Sequence, residues 1–200
     1  NDVILSRVDK LDEKTRELLN TASVMGRNFY YKVLEEATDT IEELDDRLAY
    51  LSEVQLITET KKKEEIEYLF KHALAQQVTY DSILKESRKE LHLKIARSIE
   101  KVFAENLHDF YGTLAIHYEA AEDMDKTENY LFLAGVESLN SGAPSEALNF
   151  FKKGLELYQA FSEVKEHDQK LADYYYNLGI SCYSGGYNIE TINYIDKFEN

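Results

Sequence analysis

The sequence predicts a mainly α fold made of two modules, and three observations lead to this prediction. The 200 residues include one Pro and eight Gly, the residue types that most often interrupt helices. Apolar residues recur at helical spacing along most of the chain, and 44% of all residues are hydrophobic, as in a globular protein. The net charge of −15 is unevenly spread, with −4 in residues 1–104 and −11 in residues 105–200. Ten of the 15 tyrosines also follow residue 104, so we predict domains at 1–104 and 105–200.

The composition also excludes several kinds of protein. A chain this acidic does not offer the broad positive surface that nucleic acids or anionic membranes require. The single cysteine, Cys182, excludes an intramolecular disulfide and a cysteine-rich zinc site. No apolar run approaches the roughly 18 residues of a membrane-spanning helix, and no signal peptide is present. We therefore expect a cytoplasmic location and, because the chain starts at Asn1 rather than Met, a fragment of a larger protein.

The first module begins with three predicted helices. The first covers Asp9 to Val24 and should stop at Gly26. The second covers Phe29 to Ala37. The third is capped by Thr40, with Glu43 completing a capping box, and should bury the apolar residues Ile41, Leu44, Leu48 and Leu51.

Two short strands and two more helices follow. The strands are predicted at Gln55–Thr60 and Ile66–Phe70, around a polar tip that includes Lys61, Lys62 and Lys63. Three helices followed by a β-hairpin is the element order of a winged-helix domain. A fourth helix should bury Leu74, Val78, Tyr80 and Ile83, and a fifth, Ser87 to Phe103, should bury Leu91, Ile95, Ile99 and Val102.

A winged helix often binds DNA through its third helix, and this use is the alternative function. The polar face of that helix carries Arg47 among the carboxylates of Glu42, Glu43, Asp45, Asp46 and Glu53. These carboxylates would repel phosphate groups, so we do not expect nucleic acid as a partner.

Residues 105–200 predict helical repeats of the tetratricopeptide kind. Gly135 and Gly179 are 44 residues apart, as are Gly142 and Gly186, and each pair falls where paired helices touch or turn. Such repeats stack and leave a concave surface, which the first helix of each pair lines. We predict a partner-binding groove that includes Asn129, Asn140, Asp173, Tyr176, Asn177 and Tyr183. Phe132, Val136 and Ile180 are expected to pack against the next helix instead.

The order of these segments resembles the region that follows the nucleotide-binding module in signal-transduction ATPases with numerous domains. The likeness is greatest to bacterial class III adenylate/guanylate cyclases and related regulators. It spans most of residues 3–160 and is carried by residues 22–29, Leu48, Leu51, Leu56, Ile57, residues 70–74, Tyr80, Arg88, Leu91, His92, Ile95, Ala96 and residues 114–121.

The resemblance implies an ATPase domain in the same chain, N-terminal to the winged helix. Related regulators place a His after the hairpin against the β-phosphate of bound ADP, and His72 is similar in position, although Ala73 replaces their Asp. An imidazole N–H at a helix start can donate to a phosphate. His72 is therefore either a nucleotide sensor or a helix-start histidine bonded to nearby backbone.

The residues show no catalytic motif, metal-ligand spacing or phosphate-binding loop, so we expect no catalytic site, metal or cofactor in this fragment. We predict a non-catalytic regulatory and protein-interaction fragment whose parent is an ATPase or a nucleotide cyclase. The winged helix would couple to the absent ATPase domain, and the acidic repeats would bind a basic or amphipathic protein segment. The alternatives are a DNA-binding winged-helix transcriptional regulator with a repeat-type sensor domain, and a stand-alone scaffold.

Overall fold

The structure is a computed structural model that describes residues 2–38, 43–62, 65–161 and 168–199. The chain divides into two compact units, residues 1–104 and 105–200. Helices make up most of both units and one small antiparallel sheet lies in the first, so the prediction of a mainly α fold is confirmed.

The first unit alternates helices with three short strands. In chain order its elements are α1 (Asp2–Asp9), α2 (Glu13–Met25), β1 (Asn28–Tyr30), α3 (Tyr31–Ala37), α4 (Leu44–Glu53), β2 (Ile57–Lys62), β3 (Glu65–Phe70), α5 (Ala73–Ser82) and α6 (Lys85–Val102). The strands lie in the order β1-β3-β2, so β3 is the central strand of the sheet.

The N-terminal segment forms two helices where the sequence predicted one, Asp9 to Val24. Asp12 caps α2, because its side chain accepts hydrogen bonds from the Thr15 backbone N–H at 3.1 Å and the Thr15 hydroxyl at 2.6 Å. These bonds, with a smaller contribution from Arg47, lower the pKa of Asp12 to about 2. The predicted stop at Gly26 is confirmed: Gly26 is the C-cap of α2 and has φ 119°, a conformation that favours glycine.

Phe29 lies in a strand and not in the predicted helix from Phe29 to Ala37. It pairs with Tyr68 of β3, and its ring stacks on the Tyr68 ring with 5.6 Å between centroids. The Phe29 ring also contacts the ring of Phe70 and is fully buried. Burial between two aromatic residues of a distant strand therefore decides the conformation here, and the helix begins at Tyr31.

The third predicted helix is α4, whose predicted core residues Leu44, Leu48 and Leu51 are buried. Its start differs from the predicted capping box, because Glu43 itself occupies the N-cap with φ 72°. Thr40 and Ile41 lie outside the described residues.

The hairpin and the two helices after it follow the predicted order, but some of their bounds and buried residues differ from the prediction. Strand β2 starts at Ile57 and not at Gln55, which adopts a left-handed φ of 64° as the chain leaves α4. Helix α5 buries Ala75 and Thr79, whereas Leu74, which was predicted to face inward, is 39% exposed. Helix α6 buries the predicted Ile95 and Ile99.

The second unit is a succession of helices in which each packs against the next. A 3-10 segment, Ala104–Phe110, begins at the boundary between the units. It is followed by α7 (Tyr111–Ala120), α8 (Met124–Asn140), α9 (Pro144–Phe161), α10 (Gln169–Ser184) and α11 (Asn188–Glu199).

Three turns in this unit share one geometry. After α7, α8 and α10 the chain passes through a left-handed residue, namely Glu122, Gly142 and Gly186. In each turn the backbone N–H of the next residue bonds to the carbonyl five positions earlier, as Ala143 does to Ser138 at 2.8 Å and Tyr187 to Cys182 at 2.8 Å. This pattern is the Schellman motif, which satisfies the last carbonyls of a helix and reverses the chain direction.

The two predicted helix-contact glycines meet different neighbours. A Cβ at Gly135 would lie 2.6 Å from the ring of Phe151, which is fully buried in α9. A Cβ at Gly179, 44 residues later, would lie 3.5 Å from Ile195 of α11, an ordinary contact distance. Helices α8 and α9 therefore approach closely only because residue 135 has no side chain.

These distances predict opposite effects for the same substitution. Gly135→Ala should lower the free energy of unfolding by about 1–3 kcal/mol, because the buried Phe151 ring would have to move. Gly179→Ala should leave it unchanged or raise it by up to about 1 kcal/mol, since Ala favours helix over Gly. Urea unfolding of the two variants and the parent chain measures both values. Equal losses in the two variants would contradict the packing described for Gly135.

Candidate functional site

A 44-residue offset relates the pair α8–α9 to the pair α10–α11. It superimposes Gly135 on Gly179 in the first helix of each pair and Gly142 on Gly186 in the turn. Both turns are Schellman motifs with the glycine at positive φ. Corresponding positions in the two pairs can therefore be compared directly.

Helix α10 covers one side of α8 and α9. On α9 this side buries Leu148 and Phe151, and on α8 the side chains of Phe132, Val136 and Leu139 pack against the same cluster. From α10 the cluster receives Tyr174, Leu178 and Cys182. The prediction that Phe132 and Val136 pack against the next helix is thus confirmed.

Tyr174 is the centre of this contact. Its ring is fully buried, with centroids 5.1 Å from Phe132, 6.4 Å from Phe151 and 6.1 Å from Tyr158. Its ring and hydroxyl lie against Gly154, where a Cβ would be 2.5 Å from the hydroxyl oxygen.

The hydroxyl of Tyr174 donates a hydrogen bond to the carboxylate of Glu128, a buried side chain of α8. Lys170, one turn before Tyr174 on α10, forms an ion pair with the same carboxylate. Burial, and then the bond to Glu128, raise the pKa of Tyr174 far above its usual value, so the phenol stays protonated. A buried carboxylate with two partners from α10 fixes where α10 lies along α8.

The equivalent side of the second pair is exposed. Ile192 and Ile195 of α11 correspond to the buried Leu148 and Phe151, yet they are 60% and 45% exposed. Tyr176 and Tyr183 of α10 correspond to Phe132 and Leu139 and are 53% and 74% exposed. Ile180, which was predicted to pack against the next helix, is half-buried beside them. We call the surface formed by Tyr176, Ile180, Tyr183, Ile189, Ile192 and Ile195 the α10–α11 face.

The predicted groove residues lie in two environments. Asn129 and Asn140 of α8 are exposed, as are Tyr176 and Tyr183. Asp173 and Asn177 are half-buried and bond within α10, because the Asn177 amide donates to the Asp173 carbonyl at 2.8 Å and Gln169 donates to the Asp173 carboxylate at 2.9 Å. Each of these two side chains makes a hydrogen bond within α10, and the two tyrosines are the exposed part of the predicted set on this helix.

The sequence reasoning missed the isoleucines Ile189, Ile192 and Ile195 of α11. Two signals could have found them. They recur every three residues on one side of a helix, and two of them lie 44 residues after Leu148 and Phe151.

His72 is the N-cap residue of α5 and is exposed. Its carbonyl accepts the Ala75 N–H at 2.9 Å, but its imidazole makes no capping hydrogen bond with the helix. Its role as a nucleotide sensor stays a prediction.

His92 of α6 is buried, and its Nε2 lies 3.1 Å from the hydroxyl of Tyr80 on α5. Burial, together with the nearby positive charge of Arg88, lowers the pKa of His92 to about 4. Arg88 itself stacks on the Tyr80 ring, 4.7 Å from its centroid. His92 is therefore a neutral packing residue at neutral pH.

The first unit also contains a cleft of about 560 Å³ lined by residues of α2, α4 and α6. Its lining carries both signs of charge, with Lys14, Arg47 and Lys94 beside Glu17 and Glu90. No one kind of ligand follows from this lining.

Two further surveys concern the described part of the chain alone. No group of three or more His, Cys, Asp or Glu side chains there could hold a metal ion, and His167 falls outside it. None of the described helices is long and apolar enough to cross a membrane.

Comparisons with known proteins identify a distant relative. The chain is similar to an uncharacterized protein of Rhizobium meliloti (strain 1021), with 25% identity over 173 residues. The match covers 80% of this chain and only 16% of the relative, so the chain spans a small part of the relative's length. No known protein-family profile matches the chain. No solved structure matches it either.

The buried His92 predicts a pH-dependent contribution to stability. The unfolded chain takes up a proton at this residue as the pH falls below about 6.5, whereas the folded chain does so only near the pKa of about 4. The free energy of unfolding should therefore fall by roughly 3 kcal/mol between these pH values because of His92 alone.

His92→Gln should remove that part of the pH dependence. Urea unfolding of both chains at several pH values from 7 to 4 measures it, and carboxylate titration, common to both, cancels in the difference. Stability curves that stay parallel over this range would contradict the assignment.

Proposed function

We propose that this chain is a non-catalytic, protein-interacting part of a larger signalling protein, and that the α10–α11 face binds its partner. The observation that carries the proposal is the contrast between the buried Leu148 and Phe151 and their exposed counterparts Ile192 and Ile195. Adjacent large apolar residues exposed on one face are typical of a protein-binding surface. A repeat unit buries such a face only when another helix packs against it.

Charge defines the kind of partner. Residues 105–200 carry 6 basic and 17 acidic side chains. Glu190 and Asp196 lie on α11 with the exposed isoleucines, and Asp173 lies on α10. An amphipathic helix with basic residues beside its apolar stripe complements this surface in both shape and charge.

The order of the helices and strands supports the winged-helix and helical-repeat assignments in the proposal. In the first unit, α2, β1, α3, α4, β2 and β3 follow one another as in a winged-helix domain, with the third strand central. In the second unit, the short turns and the 44-residue offset are typical of tetratricopeptide-like pairs with lengthened helices. These orders agree with the resemblance described in the sequence analysis, and from that resemblance we propose a place beside an ATPase domain in a signal-transduction ATPase. The winged helix would then contact that domain.

The charges of α4 count against the alternative of DNA binding. Asp45 and Asp46 lie in the first turn of this helix. Arg47 is held by the carboxylates of Asp12 at 2.9 Å and Glu43 at 2.7 Å. A helix with this pattern would repel the phosphate backbone.

The proposal predicts binding of a simple basic amphipathic helix. A fluorescein-labelled helical peptide of leucine and alanine, flanked by lysines, should bind the 200-residue chain saturably, and added salt should weaken the binding. Ile192→Lys should weaken it by about tenfold or more, since a charge would then be buried in the contact. Fluorescence anisotropy titrations measure both.

The matched control is Ile116→Lys on α7. Ile116 is 63% exposed, close to the 60% of Ile192, so the change in residue type, charge and exposure is the same in both variants. This variant should bind the peptide like the parent chain. Absence of saturable binding, or equal weakening by both variants, would contradict the proposed site.

A further inference from the structure

We infer, on the basis of the proposed function, that the partner helix packs on the α10–α11 face in the same pose in which α10 packs on α8 and α9. We also infer that the partner has an aliphatic residue at the position that Tyr174 occupies in α10. The first half of this inference follows from the 44-residue offset. The apolar positions that receive α10 are repeated in α10 and α11, so the same kind of helix, in the same pose, fits them.

The second half follows from the surroundings of Tyr174. Its ring packs edge-on against Phe132 and Phe151, and its hydroxyl depends on two further features. One is the absence of a side chain at Gly154, and the other is the carboxylate of Glu128 that accepts its hydrogen bond.

The sequence keeps the apolar walls 44 residues later and loses both of these features. Phe132 and Phe151 correspond to Tyr176 and Ile195, which are large and apolar. Gly154 corresponds to Phe198, and Glu128 corresponds to Ala172.

A tyrosine of the partner at this position would therefore lack the hydrogen-bond acceptor. An unsatisfied buried hydroxyl weakens binding. A leucine or isoleucine fits the apolar walls without this penalty. The partner helix that fits the α10–α11 face therefore has apolar residues at the positions of Leu171, Leu178 and Cys182 in α10. At the position of Tyr174 it has an aliphatic residue.

Two peptides test this preference. Both carry residues 168–185 of this chain with Cys182→Ala and two added lysines at each end, and one of them also carries Tyr174→Leu. In anisotropy titrations against the 200-residue chain, the peptide with leucine should bind about tenfold more tightly than the one with tyrosine. Ile195→Lys in the chain should abolish binding of both.

A chain variant designed to accept the tyrosine peptide provides the second measurement. The chain variant Ala172→Glu restores the acceptor, and its circular dichroism shows whether it folds. It should bring the affinity for the tyrosine peptide level with, or above, that for the leucine peptide. A ratio unchanged from the parent chain would overturn the inferred pose.

The remaining outcomes separate this inference from the proposed function. If the tyrosine peptide binds the parent chain as tightly as the leucine peptide, the inference is wrong and the binding face stands. If neither binds while the lysine-flanked leucine–alanine peptide does, the pose is wrong and the face stands. If sedimentation shows a dimer that Ile192→Lys dissolves, a second copy is the occupant and the inference is overturned. If no peptide binds, the proposed function itself fails.

Discussion

The second unit depends on how one buried phenol is accommodated. Tyr174 lies among three aromatic rings and needs an acceptor for its hydroxyl, which Glu128 supplies from α8. Glu128 is itself buried and needs more than one partner, and Lys170 of α10 is the second. Removing one member would leave a buried polar or charged group without its partner, which costs several kcal/mol in typical proteins. The buried phenol and carboxylate therefore fix α10 to α8, and the Tyr174 ring packs against Gly154 of α9.

That requirement connects the packing of the unit to its proposed role. A helix pair of this kind completes its core only when a further helix covers its open side. Helix α10 does this for α8 and α9, and the apolar residues that it covers recur on α10 and α11 in exposed form. The glycine and the carboxylate that accommodate Tyr174 do not recur. We propose that the exposed face therefore binds an apolar helix with a selectivity different from that of the side that α10 covers.

The sequence predicted what local patterns determine and missed what distant contacts determine. Helical spacing correctly placed Leu44, Leu48 and Leu51 in the core of α4. It failed at Phe29, because the strand there exists only through pairing with β3. In the repeats, the paired glycines gave the correct offset, and that offset alone would have identified Ile192 and Ile195. The link between Glu128 and Tyr174 joins positions 46 residues apart, and no local pattern indicates such a link.

The central claim is that the α10–α11 face is an open counterpart of the side that α10 covers. Thiol labelling of the variants Leu148→Cys and Ile192→Cys tests it directly, because the natural Cys182 is buried with a raised pKa and adds little background. The account predicts that Ile192→Cys is labelled fast and that a saturating concentration of the lysine-flanked leucine–alanine peptide slows this labelling by about tenfold. Leu148→Cys should be labelled slowly with or without the peptide. Equal labelling of the two variants in the chain alone, or fast labelling of Ile192→Cys that the peptide leaves unchanged, would contradict the account.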